Sequence, residues 1–354
     1  MRGIKITVLL IAILLLGVQS LGYAQKPYRV GTTTANFLEI GYGSAGTAMG
    51  DAYVSVANDL SSIYWNPAGL SLMKQSEAQF LYQPWLVDIN SAFVGVGLVL
   101  PNIGTLSLGM FQMGYGDMDV TTMLMQDGTG EKFTAQDLAI SLSYARRLAQ
   151  WFAFGASFKY VSSQIWHTHA SALALDLGVV VNTMFFSPSG EREDGLNIGM
   201  SISNYGTKMK YDGMDLLEPI DILPYEAGNY RDVLGQFRLE AWELPLIFRI
   251  GVSANPIIWG QNRLTLSMDA LHPNNNSESV NVGAQYKLNV PGTGEFYLRG
   301  GYKALFMPHS EFGATFGGGM VLRLMHNIGF KLDYAYRNIG ILGKTNCYTF
   351  GFLF

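Results

Sequence analysis

The segment "IGFKLDYAYR" at residues 328–337 alternates strictly between two kinds of side chain. Every even-numbered position in it is apolar or aromatic, and every odd-numbered position is small or charged. Successive side chains of a β-strand point to opposite faces. The pattern is therefore typical of a strand with one apolar and one polar face, and its length suits a tilted strand that crosses a bilayer.

The same alternation recurs along the chain, for example at 138–145, 152–160, 173–179 and 264–269. We count about fourteen such strands, and single-chain bacterial barrels have an even number of them. The strands are predicted at 75–83, 89–100, 104–114, 133–147, 151–164, 169–183, 195–204, 242–254, 262–271, 278–288, 294–303, 313–324, 327–337 and 345–354. Short turns are predicted to alternate with longer connections, the longest being 115–132 and 205–241.

The composition favours an exported protein. Only 14% of the residues are charged and 49% are hydrophobic, against about 25% charged in a typical soluble domain. Residues 1–24 are predicted to be a signal peptide, with Arg2 and Lys5 before an apolar run and cleavage after Ala24. Cleavage removes these two positive charges and changes the formal net charge from −4 to −6, which argues against nucleic acid as a partner. The single Cys347 cannot form an internal disulfide.

Two folds fit the alternation. In a soluble β-sandwich the apolar face would form the core, whereas in a membrane barrel it would contact lipid. The predicted signal peptide, the low charge and the strand lengths favour an all-β transmembrane antiparallel barrel of about fourteen strands in the bacterial outer membrane, formed by residues 73–354. Short turns and both chain ends are then expected on the periplasmic side. The residues predicted to line the lumen are Asp176, Arg249, Asp269, Arg299, Lys331 and Asp333.

Residues 25–72 precede the predicted strands and lack their alternation. They are rich in Gly and Ala, and Ala45, Met49, Tyr53 and Val56 have a helical spacing. A segment this apolar is not typical of a loose periplasmic tail. Inside a barrel, however, its backbone polar groups can pair with the polar lining. We therefore predict an N-terminal plug with short helical turns. Its candidate plug and gate residues are Gly43, Met49, Gly50, Trp65, Asn66, Pro67, Ala68 and Gly69.

The stretch "FLEIGYGSAGTAMGDAYVSVANDLSSIYWNPAGLS" at residues 37–71 resembles the N-terminal signature of the PorV/PorQ family of outer-membrane proteins. The match is densest at Ala48–Gly50 and Tyr64–Leu70, and the chain departs at 44–47, where the family commonly has an Arg. This family belongs with the FadL-like channels. The resemblance implies a fourteen-stranded barrel that carries an N-terminal plug.

The resemblance also implies two alternative roles. PorV-type members serve type IX secretion by binding exported proteins through their C-terminal signal domains, so the partners would be such proteins or the secretion machinery. A carrier of this kind would bind through the 205–241 loop, with Asp212, Asp215, Tyr225 and Tyr230 as candidate contacts. FadL-like channels instead move hydrophobic small molecules, and a kink in the third strand opens their wall sideways. Gly109 and Gly114 are the candidate kink residues here. We take the carrier as the first hypothesis and the channel as the alternative.

The C-terminal strand carries alternating aromatic residues and stops on a Phe. This pattern resembles the signal read by the outer-membrane assembly machinery, although an ordinary terminal strand could also show it. The candidate signal residues are Tyr348, Phe350, Phe352 and Phe354.

Motifs for catalysis and metal binding are weak or missing. The sequence contains no P-loop, Gly-x-Ser-x-Gly or His-Glu-x-x-His motif, so we predict no enzymatic activity and no cofactor. The pair His167 and His169 lacks a neighbouring carboxylate or Cys in the sequence, and no metal site is predicted.

Overall fold

The computed structural model describes residues 29–87, 89–226, 228, 233–325 and 328–354. The predicted signal peptide, residues 1–24, and the first residues of the predicted plug, 25–28, lie outside this part of the chain.

The described chain contains many strands and a few short helices. In chain order the strands are β1 (Glu77–Pro84), β2 (Asn90–Leu100), β3 (Gly104–Asp119), β4 (Lys132–Ala149), β5 (Phe152–Ile165), β6 (Thr168–Asn182), β7 (Asn197–Gly206), β8 (Asp212–Gly213), β9 (Leu217–Ile220), β10 (Val233–Gln236), β11 (Ile247–Trp259), β12 (Asn262–Pro273), β13 (Ser279–Val290), β14 (Gly294–Leu305), β15 (Ala314–Met325), β16 (Ile328–Asn338) and β17 (Lys344–Leu353). The short strands β8 to β10 belong to one long loop, in which β9 and β10 form a two-stranded sheet.

The other fourteen strands form one closed antiparallel barrel. Each wall strand pairs with the next one along the chain, and β1 closes the barrel by pairing with β17, from Glu77 opposite Leu353 to Tyr82 opposite Tyr348. A closed sheet leaves no unpaired edge. The prediction of an all-β, fourteen-stranded barrel is confirmed.

Two wall strands differ from the predicted ranges by more than two residues. β3 runs on to Asp119, and β11 spans 247–259 rather than 242–254. Trp242 pairs with Met209 of the long loop instead of joining the wall. Pro245 has no N–H to donate to a ladder, so the wall strand begins only after it.

The two faces of the wall are segregated in the way a membrane barrel requires. The outward side chains of Leu142, Leu175, Phe330 and Phe352 are 37–52% exposed. The charged residues on the alternate positions of β6 and β16 are buried inside the barrel, namely Asp176, Lys331, Asp333 and Arg337. This arrangement is the reverse of a soluble sandwich, whose apolar face would be covered. No helix in the described part of the chain is long and apolar enough to cross a membrane.

The two ends of the barrel differ in their connections. One end, which we call the short-turn end, carries the brief connections 101–103, 150–151, 260–261 and 291–293, together with one longer connection at 183–196. The other, the long-loop end, carries 120–131 and 207–246. Short turns mark the periplasmic side of such barrels.

The prediction that both chain ends lie on the periplasmic side is wrong for the first described residues. β17 does end at the short-turn end, but Thr34 N donates to Glu243 O (3.0 Å) at the long-loop end. The cause is the path of the N-terminal segment, which runs through the barrel and reaches the short-turn end only where β1 begins.

We call residues 36–72 the inner segment. It consists of 3-10 turns at Asn36–Glu39 and Pro67–Leu72 and short helices at Ser44–Ala48 and Ser62–Trp65. The helical spacing in the sequence continues to Val56, but the helix stops at Ala48. Gly50 and Asp51 take left-handed backbone angles, with φ of +66° and +64°, which end an α-helix.

Candidate functional site

The inner segment is packed directly against the inside of the wall. Nearly every residue from 43 to 70 is buried. At Gly178 and Gly301 of the wall, an added Cβ would overlap Asn66 and the backbone of Met49 and Gly50, respectively. Glycine lets two backbones approach this closely, so the wall is shaped to the inner segment.

Asn66 explains the Asn-Pro-Ala-Gly motif. Its Oδ1 accepts a hydrogen bond from Ala68 N (3.1 Å), which caps the 3-10 turn that Pro67 begins. Its Nδ2 donates to Val54 O (2.9 Å) and Val179 O (3.0 Å). One buried amide therefore joins a turn, the middle of the inner segment and strand β6.

The rest of the motif and the other predicted plug residues lie in the same packed region. Met49, Trp65 and Ala68 are at most 1% exposed. Gly43 has φ of +103° and faces Ser61, while Gly69 lies against Ala57 O. All eight predicted plug and gate residues thus lie inside the barrel, with Pro67 and Ala68 nearest the short-turn end.

On the long-loop side the interior is an aromatic core. The Tyr42 ring stacks on Phe93 (4.6 Å between centroids) and Phe111 (5.0 Å) and contacts Tyr64 (4.9 Å). Phe37 also stacks on Phe111, with 6.1 Å between the ring centroids. These rings fill the space between the inner segment and strands β2 and β3.

Two buried ion-pair clusters hold the inner segment to the wall. In the first, which lies nearer the long-loop end, Asp51 pairs with Arg337 and Lys303, each at 2.6 Å. Arg337 also donates to Thr47 Oγ1 (3.3 Å). Asp51 and its two partners were not singled out from the sequence, because nothing local to Asp51 marks it as an internal anchor.

The second cluster lies nearer the short-turn end and centres on Lys331. Its Nζ lies 2.5 Å from Asp59 of the inner segment, 3.2 Å from Glu77 and 3.9 Å from Asp333. Arg299 pairs with Asp333 at 2.5 Å. The predicted lumen residues Lys331, Asp333 and Arg299 therefore come together at one place, with one inner-segment carboxylate among them.

The remaining three predicted lumen residues are separate from that cluster. Asp269 accepts a hydrogen bond from Val54 N (2.9 Å), and Arg249 donates to Tyr64 Oη (3.2 Å), so both contact the inner segment. Asp176 instead pairs with Lys159 of the neighbouring strand (2.5 Å). All three are buried.

A polar chamber of about 570 Å³ lies between the inner segment and the short-turn end. The inner segment contributes Tyr53 and Asp59 to its lining, and the wall contributes charged side chains of both signs. These wall residues include Arg147, Arg263, Lys287, Arg299, Lys331, Glu77 and Glu295. Such a chamber suits water and polar groups, because burying charges against an apolar solute is costly.

Strand β3 is regularly paired at the first predicted kink residue. Gly109 lies opposite Gly95 of β2 and Ser141 of β4. The pairing with β4 becomes irregular only after Gly114, between that residue and Asp117. The described wall is thus continuous through 104–114, with a bulge nearer the long-loop end.

The long loop has its own ordered contacts. Asp215 accepts hydrogen bonds from His167 N (2.9 Å) and Thr168 Oγ1 (3.2 Å), and His167 Nδ1 lies 2.9 Å from its other oxygen. Partial desolvation raises the pKa of Asp215, but these hydrogen bonds outweigh it and hold the pKa below its ordinary value. Among the described residues, no three side chains of metal-binding type converge.

The other predicted contact residues of the long loop differ in how far they are exposed or already hydrogen-bonded. Asp212 accepts a hydrogen bond from Gln236 Nε2 (2.6 Å), whereas Tyr225 is 99% exposed. Tyr230 lies outside the described residues. The C-terminal strand places its four candidate assembly residues on the outer surface. These are Tyr348, Phe350, Phe352 and Phe354, which are 38–46% exposed.

Comparison with known proteins gives one family and one fold. Residues 23–221 match the family model described as "Type IX secretion system protein PorV". The structure is similar to the Pseudomonas putida toluene transporter TodX, with a TM-score of 0.53 and 11% identity over 88% of this chain and 96% of that chain. The Ralstonia pickettii toluene transporter TbuX gives a TM-score of 0.53 and 11% identity over 88% and 97%. A Pseudomonas aeruginosa FadL homologue gives 0.50 and 12% over 88% and 98%. At these identities the likeness concerns the fold alone, and no curated protein matches the chain.

Proposed function

The chain belongs to the PorV family of type IX secretion system proteins, and we propose that it is a non-enzymatic carrier or accessory barrel of type IX-like protein secretion. Its location is the bacterial outer membrane, in agreement with both the family and the barrel. The observation that carries the proposal is the family match, which includes the whole inner segment and the first seven wall strands.

The barrel interior supports a carrier over a hydrophobic channel. An apolar solute entering at the long-loop end would have to displace the stacked rings of Tyr42, Phe93 and Phe111. It would then meet the chamber lined by Lys331, Arg299 and their carboxylate partners. Ligand sites for apolar molecules are mostly apolar, and this chamber is not.

In this proposal the inner segment is the plug. Gly43, Trp65 and Asn66–Gly69 fix its shape, Met49 and Gly50 fit it to the wall, and the buried wall charges hold it in place. A carrier has no need to release the plug, because its cargo binds outside the lumen.

Cargo binding is assigned to the long loop, through Tyr225 together with Asp212 and Asp215 of the same loop. The partners would be secreted proteins with C-terminal signal domains. Tyr225 supports this assignment because a nearly fully exposed Tyr is the residue type that interfaces favour.

The alternative function is a FadL-like channel for hydrophobic small molecules. Its support is the fold shared with the toluene transporters TodX and TbuX and the bulge that follows Gly114 in β3. A bulge near a barrel rim re-aims the strand and could begin a lateral opening.

A deletion strain separates the two functions. It is complemented with the wild-type protein, with Tyr225→Ala or with Phe186→Ala, an aromatic residue that is 81% exposed at the short-turn end. The carrier proposal expects loss of surface-exported proteins in the deletion strain and with Tyr225→Ala, and full rescue with Phe186→Ala. Normal export with lost uptake of a hydrophobic substrate would instead establish the channel.

A further inference from the structure

An apolar groove of about 530 Å³ crosses the outer surface of the barrel between β13 and β16. It lies in the half of the wall nearer the short-turn end. Its walls and floor include Tyr286, Phe296, Leu298, Gly318, Met320 and Tyr334. This volume lies within the range of about 300–1,000 Å³ found for small-molecule sites.

The floor of the groove is formed by Gly318, and neither backbone conformation nor close packing requires a glycine at this position. A Cβ on Gly318 would lie 3.4 Å from Tyr297 O and 3.9 Å from Leu298 Cδ2, which are ordinary contacts. Gly300, on the adjacent strand and outside the lining of the groove, is similarly unconstrained, with the nearest atom to an added Cβ 3.8 Å away. Neither glycine has a positive φ, so the backbone does not require it.

These outward glycines therefore differ from the inward ones. Gly178 and Gly301 leave room for the inner segment. Gly300 and Gly318 gain no such contact, although glycine inside a strand weakens it. At Gly318, the missing side chain provides the open floor of the groove.

The groove also lacks free polar groups among its aromatic walls. The Tyr286 hydroxyl donates to Asn262 Oδ1 (2.5 Å), and the Tyr334 hydroxyl donates to Asn346 Oδ1 (2.9 Å). Both tyrosines therefore present ring surface rather than a hydrogen-bonding atom. An occupant of this groove is recognised by shape and apolar contact alone.

We propose that the groove binds one acyl chain of a phospholipid from the leaflet at the short-turn end. The groove is continuous with the outward apolar surface of the wall, which is the lipid-contacting interface of an outer-membrane barrel. Transfer from lipid to groove brings no hydrophobic gain, so binding depends on close packing of the chain against the ring faces and the glycine backbone. The proposal rests on the barrel and its location, and it does not depend on the secretion role.

The test is native mass spectrometry of the full-length barrel in detergent, titrated with phosphatidylethanolamine. Gly318→Leu fills the groove from its floor. Ala156→Leu is the matched control, since it places the same Leu side chain on the outward face of β5, away from the groove. We expect wild type and Ala156→Leu to retain the lipid equally and Gly318→Leu to bind it about tenfold more weakly, as expected for the loss of about ten close carbon–carbon contacts.

Barrel closure of each variant is checked by its heat-modifiable mobility in electrophoresis. Gly318→Leu should remain folded, because the added Cβ makes only ordinary van der Waals contacts, the closest being 3.4 Å from Tyr297 O. Equal lipid binding by Gly318→Leu and the control would overturn the proposal. Loss of a co-purifying protein with lipid binding unchanged would also overturn it, and would assign the groove to a partner barrel.

Discussion

Replacing Lys331 by Met should loosen the attachment of the inner segment to the wall. Lys331 is 6% exposed and pairs with Asp59 and Glu77 at 2.5 Å and 3.2 Å. Methionine keeps most of the volume but leaves two buried carboxylates without their cation. Removal of one partner of a buried pair typically costs about 3–5 kcal/mol.

The polar chamber lowers the expected cost. Lys331, Asp59 and Glu77 all line it, so water can reach the abandoned carboxylates. We therefore expect the lower limit, about 3 kcal/mol, which corresponds to a roughly 100-fold rise in the population with a released inner segment. A matched surface control is Lys208→Met. Lys208 lies 3.5 Å from Glu243 with both side chains at least 60% exposed, and such pairs contribute about 0–1 kcal/mol.

Two measurements report the effect. Single-channel recording in planar bilayers should show frequent opening for Lys331→Met, with the variant lacking residues 37–70 setting the upper limit of conductance. Urea unfolding should show the loss of stability, and the triple variant Lys331→Met, Asp59→Asn, Glu77→Gln should recover most of it because no uncompensated charge remains. If Lys331→Met behaves like Lys208→Met in both measurements, the ion pair does not hold the inner segment.

Three further predictions address the wall, the long loop and the C-terminus. Leu142→Arg, at an outward position near the middle of β4, should lower the free energy of unfolding in liposomes by about 2–4 kcal/mol, whereas no loss would contradict the lipid-facing assignment. Because the folded-state pKa of Asp215 is lowered, its contribution to loop order should be complete above about pH 4, its unfolded-state pKa, and disappear as the pH falls through the lowered value. Limited proteolysis of the loop across this range measures the loss, and Asp215→Asn should be cleaved readily at every pH. Deletion of Phe354 should lower the fraction of chains that reach the membrane without changing the stability of those that do; an effect on stability alone would indicate an ordinary terminal residue.

The wall could be predicted from the sequence because the alternation in a strand is a local property. Residues 328–337 already separate Phe330 from Lys331, and the same rule assigns a face to each wall residue. The alternation rule fails where pairing with a residue distant in the sequence determines the position of a segment. Residues 242–246 continue the apolar pattern of β11, yet Trp242 pairs with Met209 and leaves the wall.

The inner segment shows the same limit more strongly. Its Asn-Pro-Ala-Gly turn is locally encoded, since Asn66 caps the turn that Pro67 begins. The direction in which the inner segment crosses the barrel is not locally encoded, because the strand pattern does not indicate which end of the barrel the segment enters. The pairing of Asp51 with Arg337 joins residues 286 positions apart, and neither residue carries a local signal of the other.

The two ion-pair clusters together limit how the inner segment can move. Asp51 is held nearer the long-loop end and Asp59 nearer the short-turn end, while Val54 between them is bonded to Asp269. Breaking one cluster leaves the other two attachments in place, so partial release at the chamber end costs far less than withdrawal of the whole segment. Withdrawal would also have to separate the stacked rings of Tyr42, Phe93 and Phe111 in the long-loop half. The architecture therefore favours a barrel that stays closed at its long-loop end while its outer loops bind a partner. A carrier needs a barrel that stays closed, whereas a through-channel needs one that opens.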